Sequence, residues 1–163
     1  MARARADTLT IGLDASADAL AYTARRAVRE RLPNLLLLRE PVESLSLECV
    51  ADEVTVHFPW RSLLRGALAE DESVLAAICR LPRPCGALTL MLSVTARDGR
   101  EPIDERDVAR IRRAYRSRGL VLIQHRAVTR ADVDVARSSW GKRLGVGGTR
   151  PGLLLRFLRD SAA

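Results

Sequence analysis

His57-Phe58-Pro59-Trp60-Arg61-Ser62-Leu63-Leu64-Arg65-Gly66 marks the point where an apolar strand gives way to a helix. Val54-Thr55-Val56-His57-Phe58 alternates and is β-branched, which reads as a strand over 53–58. Pro59 stops it and presets a turn; Leu63, Leu64 and Leu68 then recur at helical spacing. Trp60, one of only two tryptophans, therefore falls at the carboxyl end of a strand, where α/β sheets bind ligands. A core or hinge aromatic is the equal alternative from residue type alone.

Outward from this junction the pattern repeats. Thr8–Leu13 reads as a strand closing on Asp14. Ser16 or Asp18 can cap a helix running to about Arg31, with Leu20, Ala24, Ala27 and Val28 on its apolar face. Leu35–Leu38 suits a fully buried strand, and Glu40–Glu43 a loop. Downstream come a helix over 72–81, a tight turn at Pro82–Gly86 and a strand over 87–94. Arg97–Pro102 reads as a polar loop, followed by a helix over 103–117 with Val108, Ile111 and Tyr115 on one side. Gly119 serves as its C′ glycine before a strand at 120–123. Thr129 can cap a short helix over 131–138, Trp140–Arg150 is a glycine-rich basic loop, and Leu153–Leu158 is a last strand. Ala2–Asp7 fits a helix tail or a frayed end. Strands alternating with helices, then two strands at the end, predict an α/β fold with a mostly parallel sheet.

Composition bounds the function. At 163 residues the chain suits one domain with a real core. No run approaches the roughly 18 apolar residues of a membrane span, which predicts no membrane partner and a cytoplasmic protein. Three widely spaced cysteines without histidine partners predict buried free thiols and no metal site. Residues 1–96 hold 11 basic and 12 acidic side chains, whereas residues 97–163 hold 16 and 8. The whole excess thus lies in the carboxyl-terminal part. This fits a polyanionic partner, or equally a solvated arginine-rich surface, since 26 of the 27 basic residues are arginine. Asp14 is open to two readings, a helix cap or a ribose ligand.

Leu32-Pro33-Asn34-Leu35-Leu36, Phe58–Gly66 and Ser139-Trp140-Gly141-Lys142-Arg143-Leu144 together resemble the aminoglycoside-resistance 16S rRNA (adenine-N1)-methyltransferases of the KamB and NpmA kind, over about residues 8–158. The resemblance implies a Rossmann-like class I fold dependent on S-adenosylmethionine, with an antiparallel C-terminal strand. Its expected partner is 16S rRNA within the 30S subunit, and its target is N1 of the decoding-site adenine. By the same resemblance Trp60 and Trp140 sandwich the flipped base. Asp14 holds the ribose of S-adenosylmethionine, Val42 and Glu43 lie beside its adenine, and His57, Phe58, Ser62 and Ser138 line the cofactor and target pocket. Lys142, Arg143 and Arg150 grip RNA phosphates. Arg61 stands where the family has glycine.

A flipped base needs aromatic faces to replace lost stacking, worth roughly 1–3 kcal/mol per base. N1 carries its own lone pair, so positioning rather than a general base is expected to do the catalytic work. The family's opening strand and its Asp-x-Gly-x-Gly-Asp-Gly-like loop have no match, because Gly12 is the only glycine before Gly66. This predicts an amino-terminally shortened chain lacking the central first strand, and weak binding of S-adenosylmethionine by these residues alone. Two alternatives remain: an rRNA-binding module without catalysis, and a methyltransferase with another substrate.

Overall fold

The computed structural model describes residues 7–161, and the chain divides into two compact units after Ser46. The reading of Ala2–Asp7 lies, apart from Asp7, outside the described residues.

In the first unit, β1 (Thr10–Leu13) and β2 (Leu35–Leu38) pair in parallel, with Thr10 opposite Leu35 and Leu13 opposite Leu38. They are joined by α1 (Ala17–Glu30). Ser16 is the N-cap, its hydroxyl accepting the Ala19 amide. One oxygen of Asp14 accepts the Ser16 amide at 2.8 Å. The cap therefore belongs to Ser16, and Asp14 braces it. A single 3-10 turn, Val42–Ser44, follows β2.

Two expectations fail in this unit. No residue of α1 is buried, and Val28, assigned to the apolar face, is 80% exposed. Leu35–Leu38 is a strand but not a fully buried one, since Leu36 is 46% exposed. In a two-stranded sheet alternate side chains point to opposite faces, so burial on both faces requires layers on each side.

The second unit is built on a four-stranded sheet ordered β3-β4-β6-β5. Its strands are β3 (Ala51–His57), β4 (Pro82–Leu92), β5 (Leu120–Ala127) and β6 (Leu153–Arg159). β3 and β4 are parallel, and β6 runs antiparallel to both β4 and β5. The helices are α2 (Arg61–Ala67), α3 (Glu72–Arg80), α4 (Glu105–Arg116), α5 (Arg130–Ala136) and α6 (Ser139–Leu144). Parallel pairing at β1–β2 and β3–β4, joined by helical connections and closed by an antiparallel last strand, bears out the predicted α/β class. The strands form two sheets where one was expected.

Leu68, Leu75, Ile78, Leu88, Leu90, Leu92, Ile111, Leu120 and Leu155 form the buried core of this unit. Tyr115 stacks on Phe157 with ring centroids 4.6 Å apart, and its hydroxyl donates to the Ala67 carbonyl. Thr129 caps α5 as expected and forms a capping box with Asp132, and another such box joins Asp104 to Asp107.

Three local expectations are corrected. Pro82–Gly86 is not a free turn but the bulged start of β4: Ala51 faces Pro82, whereas Glu53 already faces Ala87. The segment from Trp140 is helical because the Ser138 hydroxyl caps it by accepting the Gly141 amide at 3.0 Å. Among the free cysteines only Cys79 is buried, its thiol pushed up to about 12 by desolvation, while Cys49 and Cys85 are exposed.

Gly66 lets α2 and α3 approach: a Cβ there would stand 2.3 Å from the Val74 Cγ1 and 3.1 Å from the Val74 carbonyl carbon. Gly66→Ala should therefore lower stability by about 1–3 kcal/mol through overpacking, measured by urea unfolding. Unchanged stability would mean that the two helices separate freely.

Candidate functional site

In the second unit the candidate site grows from the end of β3. Phe58 leaves the strand with its amide donating to the Met91 carbonyl at 2.7 Å. Its φ of 50° turns the chain sharply, and Pro59 and Trp60 follow in the turn before α2. Phe58 itself is buried among Met91, Val128, Val133, Val146 and Leu154. Trp60, by contrast, stays 52% exposed.

Gly141 is what the Phe58 ring meets from the other side. A Cβ on Gly141 would lie 2.4 Å from Phe58 Cε2 and 2.9 Å from Cδ2. Only a residue without a side chain admits the ring there. The contact seats α6, and with it Trp140, against the residue that opens the Trp60 turn. Trp140 is 41% exposed, and the Arg143 guanidinium lies 5.6 Å from its ring centroid, a cation–π arrangement one helical turn on. Two large aromatic side chains are thus held near one seam and left in solvent.

The remaining expected residues of this unit sort by environment. His57 ends β3, and burial holds its pKa below the ordinary value against the opposing charge of Glu53, so the ring is neutral at pH 7. Ser62 is half-buried in the first turn of α2. Ser138 is the cap of α6, its oxygen engaged by the Gly141 amide. Lys142 pairs with Asp134 at 2.7 Å and is exposed.

Arg150 is placed differently from its expected role as an RNA grip. Its side chain is only 14% exposed, its Nη2 lies 2.6 Å from Asp98, and its Nε donates to the Ser93 hydroxyl at 2.8 Å. The same Nη2 donates to the Ser93 carbonyl, and the Ser93 hydroxyl donates to the Pro151 carbonyl at 2.6 Å. This cation ties the loop after β4 to the glycine-rich turn before β6. Its donors point into the protein, because Asp98 supplies the charge it needs there.

In the first unit Asp14 follows β1 at its carboxyl end, and its amide donates to the Leu38 carbonyl. The carboxylate is exposed, one oxygen on the Ser16 amide and the other without a partner among the described residues. Val42 and Glu43 open the 3-10 turn after β2, the first half-buried and the second exposed. Both groups stand where parallel strands end, which is where α/β folds present ligand-binding loops. No set of three metal-ligating side chains occurs among the described residues.

Sequence reasoning missed Gly141 as the seat for Phe58, and the Ser93–Asp98–Arg150 network. The first joins positions remote in sequence, and no local pattern encodes it. The second carried one signal, the Thr95–Asp98 capping box, which fixes the carboxylate that Arg150 meets.

Arg61 has φ 51°. A non-glycine residue there costs about 1–2 kcal/mol. Arg61→Gly should leave stability unchanged or raise it by up to about 1 kcal/mol, while β-branched Arg61→Val should lower it. Chemical unfolding of both variants decides, and a glycine variant weaker than the valine variant would contradict the account. Arg150→Ala should cost about 1–3 kcal/mol in the same assay, since it strips a nearly buried carboxylate of its cation. An unchanged midpoint would show that the network does not stabilise the loop.

The family described as NpmA, 16S rRNA (adenine(1408)-N(1))-methyltransferase, matches residues 1–157. A 16S rRNA (adenine(1408)-N(1))-methyltransferase of Streptoalloteichus hindustanus is 28% identical over 156 residues, covering 88% of this chain and 73% of its own length. Among solved structures, the W203A mutant of the corresponding enzyme from Catenulisporales acidiphilia, with cosubstrate S-adenosylmethionine, superposes with a TM-score of 0.81 at 29% identity. That match covers 98% of this chain and 78% of the other. The 16S rRNA methyltransferase KamB gives a TM-score of 0.81 at 26% identity, covering 98% and 80%. No helix among the described residues is long and apolar enough to cross a membrane. The chain belongs to the 16S rRNA (adenine(1408)-N(1))-methyltransferase family.

Proposed function

We propose that this protein transfers a methyl group from S-adenosylmethionine to N1 of the decoding-site adenine of 16S rRNA, in the cytoplasm and on the assembled 30S subunit, and so confers aminoglycoside resistance. The observation that carries this reading is the Phe58–Gly141 seam, which leaves two exposed tryptophans on the segments it joins. A flipped adenine between Trp60 and Trp140 would regain on two ring faces the stacking it lost in the rRNA. Lys142 and Arg143 lie on the helix that carries Trp140 and would meet the backbone of the same nucleotide strand.

Each unit, taken by itself, offers groups that the resemblance assigns to S-adenosylmethionine. In the first unit Asp14 keeps one carboxylate oxygen for a ribose diol, with Val42 and Glu43 assigned to the adenine. In the second, burial keeps His57 neutral at pH 7. Phe58 contributes an apolar neighbour, and the Ser62 and Ser138 hydroxyls contribute small polar ones. When bound, the cofactor would supply a sulfonium methyl whose carbon a nitrogen lone pair can attack, the thioether sulfur leaving with the bonding pair. The protein's part is to hold N1 in line and exclude water, so neither a carboxylate nor a histidine base is required.

The second reading is an rRNA-binding module without methyl transfer, which would keep the tryptophans and the basic helix.

The test supplies 30S subunits with methyl-labelled S-adenosylmethionine in large excess, so that weak cofactor binding does not mask transfer. Label on N1 of the decoding-site adenine, located by a primer-extension stop, is expected. Trp60→Ala and Trp140→Ala should each slow transfer by roughly 5- to 150-fold, the equivalent of one lost stacking face. Binding of 30S without label would establish the second reading, and label at another base would overturn the first.

A further inference from the structure

We infer that the notch of about 240 Å³ between α5, α6 and the glycine-rich turn is a binding site for an RNA backbone phosphate. The inference rests on the reading that the protein binds rRNA, and it adds a contact that the sequence did not single out. Arg130, Asp134, Lys142, Gly145 and Thr149 line the notch, with Val133 and Val146 as its apolar part.

Arg130 is its central feature. A Cβ on Gly148 would stand 2.8 Å from the Arg130 Nη2, 2.9 Å from Nε and 3.2 Å from Cζ. The guanidinium thus rests on bare backbone, in space that any other residue at 148 would take. Gly147 (φ 77°) lets the turn descend onto the start of α5, where its Cβ would stand 2.6 Å from the Arg130 amide nitrogen. The two glycines hold a planar, permanently charged fork against the turn, which reduces the rotamer freedom that phosphate binding would otherwise cost. No acidic partner of Arg130 occurs among the ion pairs of the described residues.

Lys142 and Asp134 complete the electrostatics. Their 2.7 Å pair is exposed on both sides, so it is weak. An entering phosphate can take the ammonium from Asp134 while Arg130 supplies a fork and Thr149 a hydroxyl. The lining excludes other ligands: one carboxylate cannot hold a metal ion, and a cavity with two cations at its rim is poor for an apolar molecule. Position favours nucleic acid over a free anion. Lys142 lies on α6, the short helix that also carries Trp140, so the notch and the proposed base site share one element.

The experiment measures equilibrium binding of the full chain to 30S subunits over a salt series, beside Arg130→Ala, Arg130→Lys, Asp134→Asn and Trp140→Ala. Circular dichroism melts confirm that each variant is folded. Arg130→Ala should weaken binding several-fold and make the salt slope shallower by about one ion. Arg130→Lys should restore most of the slope. Asp134→Asn, by freeing Lys142, should tighten binding and steepen the slope.

Trp140→Ala should weaken binding with the slope unchanged, which separates loss of stacking from loss of a phosphate contact. If Arg130→Ala matches wild type in affinity and slope, the notch is not an RNA phosphate site, whatever Trp140→Ala does. If Arg130→Ala weakens binding and Trp140→Ala does not, the notch stands and the base-stacking reading falls. If wild type takes up inorganic phosphate at low millimolar concentration while Arg130→Ala, which does not, binds 30S subunits as wild type does, the notch takes a free anion and the RNA assignment is overturned.

Discussion

Everything proposed for this protein depends on a ring seated where a side chain is missing. Phe58 closes the core at the end of β3, and Gly141 offers it the space to do so. A buried aromatic contributes a large apolar area, and its burial fixes whatever chain lies against it. Here that chain is the short helix α6, which has only six residues and would not persist alone. The Ser138 cap supplies its start and Gly145, with φ 70°, its end. Packing on Phe58 supplies the rest. Trp140 is therefore carried on an element whose existence depends on the turn that presents Trp60.

That coupling explains why the turn after β3 is strained. Phe58 and Arg61 both adopt left-handed backbone conformations at φ 50° and 51°. Conformations of this kind persist where surrounding packing over-determines them, and they concentrate at functional sites. Phe58 has that packing, from its core cluster and from Gly141. Arg61 is exposed and has none of it, which leaves its backbone angle dictated by its neighbours Trp60 and Ser62. The strain thus falls on the residue with the least local compensation, directly beside the tryptophan proposed to meet the base.

Much of this was legible in the sequence, for reasons that are local. Pro59 after a β-branched run, Thr129 ahead of α5 and Ser16 ahead of α1 are signals whose physics acts over a few residues. The positions they predicted were occupied. What was not legible was set by partners distant along the chain. Pro82–Gly86 carries turn residues but is drafted into β4 because Ala51 pairs with Pro82. Trp140–Leu144 looked like a loop because Gly141 weakens helix propensity, yet that glycine is what admits Phe58. Arg150 looked like a phosphate grip because it is basic and lies in a glycine-rich stretch, while Asp98 had already claimed it.

The most direct test of the central claim is a nuclear Overhauser measurement between the Phe58 ring protons and the Gly141 α-protons. A strong cross-peak, with the glycine α-protons shifted by the ring current, is the result this account predicts. No cross-peak and an unshifted glycine, in a protein that is otherwise folded, would mean that α6 is not seated on Phe58. The paired-tryptophan site would then lose its physical basis.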